Sequence, residues 1–376
     1  MSALRALGVM VPFLLSAYSV FSIIYIIPQL SSVLGVGVSL ISLAVTLSFI
    51  GGALGGIVIG VVADRWGRRI GLALSISIFG LATLITSLIT SIWELYLLWF
   101  LVGFGVNSEN GISYAVIVEA WRSNQGLLGG IMQGLYPVGM LLDAATSFLV
   151  RSWRPYMAII GTVSLIISLL CILAIPETRS QSRRANYWEI FSPQYRSITA
   201  LGTILVASAF MFTVPFISLV PTYILIRGFR GITYEATLIA LSTLMAISFG
   251  LAGYIMDRWG SFKTTITLST LALFSSLLFL VANLMNWGYL VIMPIALGYF
   301  SSSFFAYMGI LMGRLYPLQV RATGTNFTFL LGRIMAGIGV ALAASISSNL
   351  GIGMSFLMLA SSIAAIASSV PLLMGR

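Results

Sequence analysis

The chain alternates long apolar runs with short polar breaks. The runs fall at 8–30, 38–63, 70–90, 94–118, 126–150 and 155–175, then at 198–225, 234–256, 264–284, 287–312, 322–348 and 351–374. Most reach the roughly 20 residues a helix needs to cross the hydrocarbon of a bilayer. Twelve transmembrane helices are therefore predicted. The alternating segments of about ten residues that mark a transmembrane barrel are absent. The first run is too long for a signal peptide and lacks a cleavage pattern, so it is expected to remain as a membrane helix. The longest polar break, 177–196, reads ETRSQSRRANYWEIFSPQYR and divides the spans six and six. The expected organisation is a six-helix bundle over 1–176, a cytoplasmic linker over 177–196 and a second six-helix bundle over 197–376.

Composition narrows the class. Of 376 residues, 59% are hydrophobic and 7% charged, against roughly 25% charged in soluble domains. A water-soluble protein is excluded, and the lipid bilayer is the expected surrounding. With no histidine and one cysteine, Cys171, neither a disulfide scaffold nor a Cys/His metal site is available. No nucleophile–base pair or phosphate loop is visible, so neither an enzyme nor a cofactor is expected. The net charge of +10 reads as loop bias rather than nucleic-acid binding. Fourteen of the nineteen basic residues lie at the termini or in even-numbered breaks, among them Arg5, Arg122, Arg183, Arg184, Arg196, Arg314 and Arg376. Arg151, Arg154, Arg227 and Arg230 lie in odd-numbered breaks, and Arg333 inside a span. The positive-inside rule then puts both termini in the cytoplasm of a cell-membrane protein.

The chain also repeats itself. After the second span it reads GVVADRWGRR, Gly60 to Arg69; after the eighth, GYIMDRWGSFK, Gly253 to Lys263. Both contain G-x-x-x-D-R-W-G at the same topological point, which two related halves explain. Transporters built from repeats bind their substrate at the repeat interface near mid-membrane.

Here the sequence resembles the major facilitator superfamily. Gly60, Asp64, Arg65, Gly67, Arg68 and Arg69 match its G-x-x-x-D-[RK]-x-G-[RK]-[RK] signature. Trp153-Arg154 before the sixth span, Pro176-Glu177-Thr178-Arg179, and Tyr316-Pro317 followed by Arg321-Ala322-Thr323-Gly324 and Gly332-Arg333 are similar to motifs of its sugar-porter and metabolite:proton-symporter branches. The resemblance implies an all-α membrane protein of two pseudo-symmetric six-helix bundles. It also implies that the second helix, with Gly52, Gly56 and Gly60 on one face, approaches the eleventh. Asp64 would then sit near that helix's N-terminus, favoured by its dipole. Arg65, Arg68 and Arg69 can pair with acids at nearby helix ends, Glu119 being the obvious one. Such a cluster would latch the cytoplasmic side, or serve only to set topology. Asp257 and Arg258 form a weaker second copy, because Ser261 and Phe262 replace the paired basic residues.

Three ionisable residues lie within spans: Glu109, Asp143 and Arg333. Each costs about 2.5–3.5 kcal/mol on the lenient insertion scale, so each is a functional candidate. Glu109 lies roughly 20 Å into its span at 1.5 Å per residue, inside Asn107-Ser108-Glu109-Asn110. The resemblance makes the first, fourth, seventh and tenth helices line a central cavity. Glu109 is then the leading proton carrier, since a carboxylate can load and release a proton and no histidine is present. A structural buried glutamate is the alternative. Asp143 can relay protons, pair with Arg333 or face the outer vestibule. Arg333 suits a carboxylate or phosphate, whether from substrate or from the protein. Further substrate contacts are expected from Asn107, Asn110, Tyr18, Tyr25, Phe212, Tyr299 and Tyr307, with Phe216 and Phe304 nearby. Pro28, Pro215 and Pro221 can kink helices at gates or accommodate loops.

Two departures stand out. Ser16-Ala17-Tyr18-Ser19 carries none of the acids usual in the first helix of aromatic-acid symporters, and Trp99 replaces the arginine that often precedes G-x-G in the fourth. The apolar stretch Ala209–Phe216 lacks the Gln/Asn residues of sugar porters. The expected function is secondary transport of a small organic solute, favouring an organic anion, by a proton-coupled monomer. Proton-driven export of cationic or amphipathic compounds is the first alternative, and a non-transporting sensor the second.

Overall fold

The computed structural model describes residues 2–175, 187–230, 232–347 and 349–374. Pro176 to Arg179, Arg183, Arg184 and Arg376 lie outside them. The described residues form helices and no strand. In chain order the spans are Ser2–Phe21, Val38–Trp66, Arg68–Thr86, Ile92–Ala120, Gln125–Leu149 and Trp153–Ile172. There follow Arg196–Ile226, Ile232–Trp259, Ser261–Leu284, a tenth span broken into Ile292–Ser301 and Met308–Leu315, then Arg321–Ile346 and Leu350–Leu373. They are called the first to twelfth spans below.

Ten helices are long and apolar enough to cross a membrane, among the described residues. The expected twelve include two more, the fourth at 29 residues and the eleventh at 26. Both are long enough. They are also the spans that carry Glu109 and Arg333, and their polar residues dilute an otherwise apolar stretch.

Local chemistry sets the ends. Ser91 and Glu94 form a capping box at the start of the fourth span. Asn349 accepts the N–H groups of Gly351 and Ile352 at the start of the twelfth, at 2.9 and 3.3 Å. Pro28 lies in the first turn of a short helix, Ile27–Leu34, where its missing N–H costs nothing. Pro215 and Pro221 lie inside the unbroken seventh span. The two D-R-W-G repeats end their helices in the same way. Gly67 has φ 114° and ψ 154°, and Gly260 φ 83° and ψ 160°, a conformation that glycine alone adopts cheaply.

The chain divides into two compact units. Unit 1 is Met1–Arg122, Leu135–Ile190 and Gly313–Leu330; unit 2 is Ser123–Gly134, Phe191–Met312 and Leu331–Arg376. The start of the fifth span thus belongs to unit 2 and the start of the eleventh to unit 1, whereas the linker alone would have kept each half whole.

Within unit 1 the second and fourth spans pack along their length. A Cβ at Gly51 would meet the Phe100 carbonyl, one at Gly55 the Phe104 carbonyl, and one at Gly103 the Ser48 carbonyl. The glycine-rich second span therefore packs chiefly on the fourth and reaches the eleventh at Gly60, whose Cβ would lie 3.3 Å from Ala322 O and Thr323 Cα. Within unit 2, the seventh, ninth and twelfth spans pack together. Phe212, Phe216, Phe279, Tyr299 and Phe304 stack edge to face or tilted, with centroids 5.5–6.2 Å apart.

Backbone contact this close allows no side chain. Gly103→Val should lower thermal stability in detergent by overpacking, about 1–3 kcal/mol. Gly250→Ala, whose Cβ would meet nothing nearer than 3.9 Å, should leave the melting temperature unchanged. Equal melting temperatures for the two variants would refute the close-approach account.

Candidate functional site

Unit 1 gathers the signature residues into a buried charge cluster. The Asp64 carboxylate, at the end of the second span, accepts N–H bonds from Ala322 (3.2 Å) and Thr323 (2.7 Å), and the Thr323 hydroxyl at 2.5 Å. Those are the first residues of the eleventh helix, whose orphan donors and dipole favour an anion. Arg68 pairs with Asp64. It also donates to both Glu119 oxygens at 2.7–3.2 Å and to the Leu318 carbonyl at 3.1 Å. Arg321 approaches Glu119 at 3.4 Å. Arg68 is 1% exposed and Asp64 2%. Arg65 is exposed. Arg69 turns to the C-terminal carbonyls of the sixth span, Ile172 (3.3 Å) and Leu173.

Unit 2 holds the second copy. Asp257 accepts the N–H groups of Gly126 (3.0 Å) and Leu127 (2.9 Å), in the first turn of the fifth span. Arg258 lies 5.2 Å from the Tyr254 ring.

Glu109 lies at mid-span and is fully buried. Ser113, one turn on, donates to it, and Ser16 of the first span lies within hydrogen-bonding reach. The Asn110 amide nitrogen donates to Glu109 Oε2 (3.0 Å) and to the Val106 carbonyl (3.2 Å), while its oxygen accepts from the Tyr136 hydroxyl (2.6 Å). The Tyr136 ring, on the fifth span, meets Phe13 and Phe21 of the first with centroids 5.1 and 5.7 Å apart. Asn107 points elsewhere: two residues from Glu109 on a helix is nearly the opposite face. Its amide donates to the Gly103 carbonyl and packs on Gly52.

A second buried acid stands towards the other end of unit 1. Asp143 is fully buried. Tyr156 donates to its Oδ1 at 3.0 Å and also lies 3.4 Å from the Ser22 carbonyl. Oδ2 has no hydrogen-bond partner among the described residues. Tyr18 and Tyr25 lie close enough to interact with it electrostatically, while their hydroxyls bond Thr146 (2.7 Å) and the Met140 carbonyl (3.0 Å). Asp143 is thus bonded to a tyrosine rather than an arginine, and it does not face open water.

The remaining candidates belong to unit 2. Arg333 is 1% exposed. Phe212, Tyr299 and Tyr307 are packed into the aromatic and helical core, with the Tyr307 hydroxyl 3.3 Å from Thr265. The sequence reading missed Ser16, Ser113, Tyr136 and Tyr156. Ser113 carried a signal, since residues four apart share a helix face; Tyr156 carried none.

The comparisons agree with this architecture. The family model of the Major Facilitator Superfamily matches residues 9–340, and the chain belongs to that family. It is a multi-pass membrane transporter, not an enzyme. It is 24% identical over 342 residues to a probable 4-methylmuconolactone transporter of Cupriavidus pinatubonensis, covering 87% of this chain and 80% of the relative. It is 23% identical to the sialic acid transporter NanX of Escherichia coli, covering 91% and 87%. The solved structure of the proton:xylose symporter XylE superposes with a TM-score of 0.81 at 15% identity, covering 99% of this chain and 95% of that one; at that identity the likeness is one of fold.

Removing one partner from a buried ion pair leaves the other uncompensated. Glu119→Gln should destabilise the protein by about 3–5 kcal/mol. Glu94→Gln, at an exposed capping box, should shift the melting temperature far less. A Glu119→Gln melting temperature equal to wild type would show that Arg68 is adequately satisfied by Asp64 and Leu318 alone.

Proposed function

We propose that this transporter moves small organic anions across the cell membrane, as a monomer with cytoplasmic termini, by alternating access coupled to protons. The observation that carries the reading is Glu109. It is a fully buried mid-span carboxylate whose neighbours Ser16, Asn110 and Ser113 are all neutral. A carboxylate enclosed in this way changes its hydrogen bonding when it takes up a proton, so one ion can be exchanged for each turnover. Asp143, held by one tyrosine, is the second proton-carrying candidate. Arg333 supplies buried positive charge for an anion. The names of the relatives, a sialic acid transporter among them, support a small organic acid. The likeness in fold to XylE, a proton:xylose symporter, supports the coupling.

In this reading the Asp64–Arg68–Glu119–Arg321 cluster is the cytoplasmic latch and Asp257 its weaker counterpart. Asn110, Tyr18 and Tyr25 stay as candidate contacts, while Asn107 serves the seam between the second and fourth spans.

The test is uptake into liposomes under an imposed pH gradient, screened over organic acids. Glu109→Gln is expected to lose gradient-driven accumulation, at least tenfold, while keeping exchange of substrate across the membrane. Accumulation by Glu109→Gln at the wild-type rate, with the same dependence on the gradient, would refute the assignment.

A further inference from the structure

The geometry points to a sodium-binding site at Asp143, built from its carboxylate and the phenol and carbonyl oxygens that the first and sixth spans bring to it. Sodium there takes the place that a second proton would otherwise fill, and the site does not depend on the reading of Glu109 as proton carrier.

The surroundings of Asp143 are short of donors. The residue lies in the fifth span and is fully buried. Tyr156 of the sixth span donates to its Oδ1 at 3.0 Å, and the same phenol oxygen lies 3.4 Å from the Ser22 carbonyl. Oδ2 has no hydrogen-bond partner among the described residues. Tyr18 and Tyr25 of the first span lie close enough to act on the carboxylate electrostatically, yet their protons are spent elsewhere. Tyr25 donates to the Met140 carbonyl at 3.0 Å. Thr146 gives its single hydroxyl proton to the Leu142 carbonyl at 2.8 Å, so in the 2.7 Å bond between Tyr18 and Thr146 the phenol is the donor. What Tyr18 and Tyr25 have left to offer is lone pairs.

The backbone adds to the same sign. The first span stops being α-helical at Phe21 and continues as a tighter turn, Ser22–Tyr25. The C-terminal end of a helix carries partial negative charge, and broken helices in transporters use such ends and their carbonyls to hold cations. No basic side chain offsets this. Arg154 is engaged with the Ser87 and Ile89 carbonyls, and Arg151 is exposed. A buried carboxylate among acceptors needs positive charge.

A proton meets that need poorly. On Oδ2 it would be a donor with no acceptor in reach. On Oδ1 it would turn the Tyr156 hydroxyl to the longer 3.4 Å contact and still leave Oδ2 without a partner. A metal ion meets it better. Oxygens stand about 2.3–2.6 Å from an ion of calcium's size, hence farther from one another than hydrogen-bonded oxygens do, and sodium is of that size. Charge decides between the two: one carboxylate cancels one positive charge, and a divalent ion would leave the second buried and uncompensated. The full burial of Asp143 favours an atomic ion over an organic cation. The ion would tie the first, fifth and sixth spans together at one point.

The experiment uses the purified full chain. Thermal unfolding is followed in sodium chloride or choline chloride at equal ionic strength, beside equilibrium binding of radioactive sodium. Wild type is expected to bind sodium saturably, and its melting temperature to rise with the logarithm of sodium concentration, as for any ligand of the native state alone. Protons compete for the carboxylate, so sodium binding should weaken as pH falls; the titratable groups facing Asp143 are Tyr18, Tyr25 and Tyr156. Asp143→Asn, of the same shape, should lose both the binding and the stabilisation. Tyr156→Phe should weaken binding roughly ten- to a hundredfold, the usual cost of removing a group that orients a metal ligand. Wild-type sodium binding by Asp143→Asn overturns the site, as does its loss in Glu109→Gln alone. A melting temperature that follows pH and ignores sodium also overturns it, and leaves a proton on Asp143.

Discussion

A carboxylate seated on the N-terminus of another helix is the interaction that orders this structure. In lipid, apolar burial gives no preference for one helix neighbour over another, so directional polar contacts must choose. Each helix start leaves N–H groups without partners and carries partial positive charge. Asp64 answers both needs for the eleventh span, and Asp257 for the fifth. The buried copy then requires a counter-charge. Arg68 supplies it, Glu119 balances Arg68, and Arg321 balances Glu119, so two acids and two bases cancel. Asp257 is only half-buried.

The same economy gives a use to several of the eighteen arginines among nineteen basic residues, a ratio without meaning in the sequence alone. Arg69, at the start of the third span, donates to the last carbonyls of the sixth; Arg154, at the start of the sixth, donates to Ser87 (2.8 Å) and Ile89 (3.1 Å) just past the end of the third. The pair clasps two antiparallel helices at both ends. Arg227 likewise reaches Tyr223, Asn283 and Asn286 at 2.5–2.9 Å. Each contact uses several donors of one planar fork, which a lysine ammonium cannot match.

The sequence made the architecture legible because each span had to be long and apolar, and because D-R-W-G repeats at equivalent turns. Arg68 with Glu119, and Asp64 with the start of the eleventh span, were reached through the resemblance to a known family. Their geometry depends on a contact 259 residues apart in the chain, between Asp64 and Thr323, which no local pattern encodes. The mid-membrane acids were visible as charges in apolar runs. Apart from Asn110 and Ser113 on the acid's own helix, their partners were not, because Ser16 and the two tyrosines carry no mark of hydrogen bonding until helices are placed side by side. The candidates in the seventh and tenth spans illustrate the converse: Phe212 and Tyr299 looked exposed to a cavity, but rings at that spacing satisfy one another edge to face.

Polar side chains inside the spans share one further device. Asn107 seats on Gly52, Asn326 on Gly111, Asn283 on Gly351 and Asp257 on Gly126, and at each of these glycines a Cβ would collide with the polar group. A polar residue in a membrane helix must be covered by protein rather than lipid. A facing glycine covers it most closely, because nothing stands between the amide or carboxylate and the neighbouring backbone. This is why the two spans with the most polar character, the fourth and the eleventh, are also pressed tightly against other helices. Their loss of apolar surface is offset by backbone approach, and the glycines that permit the approach are as necessary to the buried polar groups as the hydrogen bonds themselves.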